Sequence, residues 1–86
     1  MKGDRLLERI TVDSRVMIGK PVIRGTRIPV ALILKMVGQG IPIEEVLREY
    51  PRLERADIHA AMAYAGRVIE HEEVFPLPAR GALVPA

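Results

Sequence analysis

The apolar residues change their period at Val30, and that change limits what the chain can fold into. Before it, Ile10, Val12, Val16, Ile18, Val22, Ile23 and Ile28 are β-branched, with Asp13-Ser14 and Gly25-Thr26 as turn formers between them. The pattern predicts a β arm over residues 9–29. Pro21 and Pro29 donate no backbone hydrogen bond, so its strands should be edge strands or short arms. After Val30 the spacing is helical. Val30, Ile33, Leu34 and Val37 fall on one face, Leu32 and Met36 on a second, and Gly38 and Gly40 end the helix.

Two more helices follow. The second runs from Ile43 to Tyr50, with Glu44 and Glu45 near its positive N-terminal end and Pro51 stopping it. The third runs from Glu54 to about Glu70. Its apolar face is Ile58, Ala61, Met62, Ala65, Val68 and Ile69, while Ala56, Ala60 and Ala63 thin another side for close packing. Only Pro51-Arg52-Leu53 joins the two, so they must meet at a sharp angle. That is the outline of a helix-turn-helix, which also occurs in proteins that never touch DNA.

The chain of 86 residues reads as one domain: arm 9–29, three-helix core 30–71, and a tail 72–86. A helix that is apolar on two faces in so small a domain predicts a homodimer through Leu32 and Met36; burial within the monomer is the alternative. Cysteine is absent, and His59 and His71 are isolated, which excludes a disulfide framework and the common zinc patterns. No nucleophile stands at a spacing that implies a base beside it, so the expectation is a non-enzyme without cofactor or metal. The first residues do not read as a signal peptide and no stretch spans a membrane, which predicts a cytoplasmic protein.

Charge is distributed unevenly. Residues 1–29 carry seven cations and three anions, net +4, whereas residues 30–71 are at −1 and the tail at −1. The basic front is therefore the better phosphate contact. Lys20, Arg24 and Arg27 are its candidates. If Gly25 takes the first central position of a two-residue turn, Arg24 faces Arg27, a like-charge pairing tolerable around a bound anion. The alternative is that Arg24 or Arg27 pairs with Glu49 or Asp57 and locks arm to core. In the third helix Arg55 and His59, with Arg52 just before, are the DNA-reading candidates, opposed by Glu54 and Asp57. The tail, VFPLPARGALVPA, contains three prolines and little charge, so it cannot continue the helix. Val74, Phe75, Leu77 and Leu83 make it more apolar than a free tail; docking on a neighbour or partner is the sharper reading.

From about Ile10 to Glu70 the chain resembles the domain of unknown function 433 family. The resemblance rests on Gly19-Lys20-Pro21-Val22-Ile23-Arg24-Gly25-Thr26-Arg27-Ile28-Pro29-Val30, then Glu44-Glu45-Val46-Leu47, Tyr50-Pro51-Arg52-Leu53, and Asp57-Ile58 before Ala-Met-Ala-Tyr-Ala. It implies a mainly α protein, with a short N-terminal β arm or hairpin before a three-helix, homeodomain-like helix-turn-helix core. It further implies a homodimer and, for some members, an antitoxin that binds a PIN-type ribonuclease toxin and represses its own operon. The family's Ser or Thr caps are replaced here by Pro42 and Glu54, so those caps are absent or improvised. The reading from a different class is a protein-interaction or assembly module that uses the same helices without DNA.

Overall fold

The computed structural model describes residues 2–15 and 17–71. It is mainly helical, with four helices and one two-stranded antiparallel pair. In chain order these are α1 (Lys2–Leu7), β1 (Ile10–Val12), a 3-10 turn at Met17–Gly19, β2 (Pro21–Ile23), α2 (Val30–Gly38), α3 (Ile43–Glu49) and α4 (Arg55–His71). The three helices expected after Val30 are α2, α3 and α4. The sequence pattern had not suggested α1. Six residues are too few to display a helical period, and a helix that short is marginal alone; α1 forms where it packs against α4.

β1 and β2 pair with Ile10 opposite Ile23, Thr11 opposite Val22 and Val12 opposite Pro21. On its other side Val22 bridges to Pro29, so β2 is covered along both edges. Val22 and Ile23 are both buried although they are neighbours in sequence, which means that both faces of β2 are covered as well. Between the strands the chain reverses through Ile18 and Gly19, both in the left-handed region (φ 56 and 77). Left-handed backbone costs a β-branched residue on the order of 1 kcal/mol, and Ile18 is 93% exposed.

The turn in IRGTRI lies one residue earlier than the sequence reading put it. Thr26 N–H donates to the Ile23 carbonyl at 3.0 Å, so Arg24 and Gly25 are the two central residues. Gly25, at φ 79, occupies the second central position, where a type II turn requires positive φ. Arg24 and Arg27 therefore do not face each other across a strand pair; the closing residues are Ile23 and Ile28, joined N to O at 3.0 Å. The Thr26 hydroxyl completes the turn, donating to Ile23 O at 2.7 Å and accepting the Ile28 N–H at 3.0 Å.

α2 ends as its glycines suggest. The N–H of Ile41 reaches Met36 O and that of Gly40 reaches Val37 O, with Gly40 at φ 85, which is a Schellman closure. α2 and α3 each begin after a proline, Pro29 and Pro42, with no side-chain cap. α4 improvises one: Asp57 Oδ2 accepts the backbone N–H of Glu54 at 2.8 Å, the returning half of a capping box. One core unites these elements. Ile10, Ile23, Val30, Ile33, Val46, Leu53, Ile58, Ala60 and Ala61 are buried in it, with Tyr64, Leu34, Met36 and Val37 packed around them.

Candidate functional site

The arm meets the start of α4 in an open cleft of about 760 Å³. Arg5, Glu8 and Arg9 from the α1–β1 region, Arg24 and Thr26 from the arm turn, and Arg52, Glu54 and Asp57 from the α3–α4 corner line it. Four arginines and three carboxylates thus share one concavity, and their pairing decides which charges remain available.

Arg9 is committed. Its Nη1 donates to Glu54 Oε1 at 2.9 Å and to Asp57 Oδ1 at 3.0 Å. Hydrogen bonds from Glu54 first, then Asp57, hold the guanidinium even more firmly protonated than usual. Asp57 is the one buried charged side chain among the described residues, at 5% exposure. It is satisfied on both oxygens, by Arg9 and by the Glu54 N–H. The expected lock between arm and core therefore exists, but Arg9, which the sequence reading passed over, supplies it. The signal was weak: Arg9 and Asp57 lie 48 positions apart.

Arg24 and Arg52 are held differently. Arg24 Nε donates to the carbonyl of Glu8 at 2.7 Å, with a longer contact from Nη2 to Ile10 O at 3.5 Å. Arg52 Nη2 donates to Gly25 O at 2.8 Å. Both guanidiniums are fixed by backbone carbonyls, and neither forms an ion pair among the described residues. Arg24 thus pairs with neither Glu49 nor Asp57. A carbonyl orients a guanidinium without cancelling its charge, so both remain exposed cations of defined position.

The other candidates separate into two groups. Lys20 and Arg27 are exposed and have no hydrogen bond or ion pair among the described residues. Arg55 is engaged by Glu44, and that bond holds the Glu44 carboxyl below the usual carboxylate range. His59 is exposed on α4, one turn beyond Arg55. Leu32 and Met36, the expected dimer contacts, are half-buried, Met36 against the core. Val74, Phe75, Leu77 and Leu83 lie outside the described residues. Among those described, no three His, Asp or Glu side chains cluster as metal ligands, and no helix is long and apolar enough to cross a membrane.

A second concavity, about 470 Å³, lies between α1, β1 and the last two turns of α4. Its walls are mainly apolar: Leu7, Ile10, Val12, Tyr64 and Val68, with Arg67 and His71 also lining it. Exposed apolar side chains also occur elsewhere on α4, at Met62 (47%) and Ile69 (65%).

A family model described as "Protein of unknown function (DUF433)" matches residues 10–65. An uncharacterized protein of Archaeoglobus fulgidus is 75% identical over 24 residues, which are 28% of this chain and 67% of that protein. Uncharacterized protein y4eO of Sinorhizobium fredii is 36% identical over 58 residues; the match takes in 67% of this chain but only 26% of y4eO. The crystal structure of a DUF433 member protein from Anabaena variabilis is similar with a TM-score of 0.68 and 36% identity, covering 78% of this chain and 66% of that one. The match begins at β1 and ends within α4, taking in the arm, its turn and the α3–α4 corner. The chain belongs to the DUF433 family of proteins of unknown function.

Proposed function

We propose that the protein is an antitoxin-like, DNA-binding transcriptional regulator. In this reading α2, α3 and α4 are a homeodomain-like core, α3 and α4 its helix-turn-helix, and the β arm the main phosphate contact. The carrying observation is the pair Arg24 and Arg52, which are oriented by carbonyl oxygens and keep their charge. Exposed Lys20 and Arg27 extend the basic surface of the arm. Such a surface binds a polyanion chiefly by releasing its counterions. A homodimer would double the cations on it. The DNA-reading role of α4 falls on Arg55 and His59, and there the support is thinner, since Glu44 already engages Arg55.

The test is retardation of the protein's own promoter region across a salt series. Binding that weakens linearly in log–log form supports the reading, and the slope counts phosphates neutralised. Absence of salt-dependent binding removes it. The antitoxin half of the proposal, sequestration of a PIN-type ribonuclease, is tested by co-expression with the neighbouring reading frame.

One observation favours a second reading, a protein-interaction module without DNA. The start of α4 is acidic or neutralised, through Glu54, Asp57 and the Glu44–Arg55 pair, while Met62 and Ile69 are exposed along the same helix. This reading predicts purification with a partner protein and without nucleic acid.

A further inference from the structure

The guanidiniums of Arg24 and Arg52 leave most of their hydrogen-bond donors unspent. An arginine presents five N–H donors in a rigid planar fork. Arg24 gives its Nε–Nη2 edge to the carbonyls of Glu8 and Ile10, at 2.7 and 3.5 Å, and the Nη1 end stays clear among the described residues. Arg52 gives one Nη2 donor to Gly25 O at 2.8 Å. Gly25 follows Arg24 directly in the chain, and both arginines line the cleft between the arm turn and the α3–α4 corner. Each fork is anchored at one edge, so less side-chain freedom is lost when a ligand takes the other.

The charges around them favour an anion. Four arginines and three carboxylates line the cleft, which leaves it at +1. The carboxylates of Glu54 and Asp57 are both bonded to Arg9, and Asp57 also accepts the Glu54 N–H. Arg5, Arg24 and Arg52 are the lining cations without an ion pair among the described residues, and Glu8 is the lining carboxylate without one. Thr26 also lines the cleft, but its hydroxyl is occupied twice within the turn, so recognition falls on the arginines.

The type of anion follows from the two forks. A carboxylate has two oxygens and matches one fork. A phosphate group has enough oxygens to face two forks from different directions. We propose that this cleft seats one phosphate group between Arg24 and Arg52, with Arg5 as a third cation at its rim. Arg24 belongs to the arm and Arg52 to the corner, so the bound group joins the two. The proposal deepens the DNA reading by giving one phosphate a fixed seat, but it needs only the phosphate. A DNA backbone and a free phosphomonoester carry the same chemistry.

Inorganic phosphate is the probe, added to the full chain at constant ionic strength while the arginine Nε–H resonances are followed. The expected result is that Arg24 and Arg52 move along one saturating curve with a shared midpoint, and Arg27, outside the cleft, does not. A response that never saturates, two different midpoints, or an equal response to acetate would overturn the proposal. Arg52→Gln keeps an N–H for Gly25 O and removes the charge; phosphate affinity should fall about tenfold or more. Arg27→Gln should leave the affinity unchanged. Equal losses in the two variants would mean diffuse attraction to a basic surface and would also overturn it. Short duplex DNA separates the sources. If it moves the same two resonances and phosphate displaces it, the seat takes a backbone phosphate. If they answer phosphate but not DNA, the seat stands for a phosphomonoester and the DNA reading loses this contact.

Discussion

Asp57 and Arg9, 48 positions apart, meet with Oδ1 3.0 Å from Nη1, while the other carboxylate oxygen caps the start of α4. One buried carboxylate thereby ties the α1–β1 turn to the longest helix. Asp57→Ala should lower stability by about 1–3 kcal/mol, through a lost cap and a broken buried hydrogen-bond pair. Asp57→Asn, which keeps an acceptor for the Glu54 N–H, should cost less. Urea unfolding midpoints at constant slope check both.

Thr26 provides a second test, because its hydroxyl both donates and accepts inside the arm turn. Thr26→Val should cost about 1 kcal/mol, whereas Thr26→Ser should stay near the parent. In a domain this small the difference is roughly 4–8 °C in Tm. Equal melting of the two variants would show that the turn does not depend on the hydroxyl.

Arg24 and Arg27 should part company. Arg24→Ala removes the donor to Glu8 O and should lower stability by about 1 kcal/mol; under the proposed DNA-binding function it should weaken retardation as well. Arg27→Ala should leave unfolding unchanged and reduce the salt slope by about one phosphate contact. Thermal melts combined with salt-dependent retardation separate the two roles.

Acid should weaken the fold in a defined window. Arg55 lowers the pKa of Glu44, and Arg15 lowers that of Asp13, in both cases chiefly through a side-chain hydrogen bond. A lowered folded-state value means that the folded chain binds fewer protons than the unfolded one. The contribution is then complete above the unfolded value, about 4, and disappears as pH falls through the depressed folded values. Urea midpoints should be insensitive to these two groups between about pH 5 and 7 and decline below about 4. Glu44→Gln should flatten part of that decline; an unchanged acid limb would exclude the pair as a contributor.

Much of the helical architecture was legible from local patterns. The 3.6-residue spacing after Val30, the glycines at 38 and 40 and the prolines at 42 and 51 placed α2, α3 and α4 close to their observed limits. What local patterns could not supply was long-range pairing. Nothing near Arg9 in sequence distinguishes it from Arg5 or Arg15, yet only the fold carries it to Asp57. The turn at Gly25 was misplaced by one residue because Gly-Thr and Arg-Gly both fit a two-residue turn; the Thr26 hydroxyl, bonding to Ile23 O and Ile28 N, selects the second. Arg24 illustrates a further limit. Its partners are backbone carbonyls, which every residue possesses, so no sequence complement marks them.

The starts of the helices differ in kind. α2 and α3 begin behind Pro29 and Pro42, whose backbones are extended at ψ 142 and 146 and which contribute no cap. α4 begins on a carboxylate tied to a guanidinium. A proline ring is indifferent to ionic strength, whereas at α4 the exposed Arg9–Glu54 pair is screened by it and the buried Arg9–Asp57 pair much less. Concentrated salt should therefore weaken the Glu54 contact and leave the Asp57 cap in place, so that the α4 entrance divides into a part the solvent's ions reach and a part they do not.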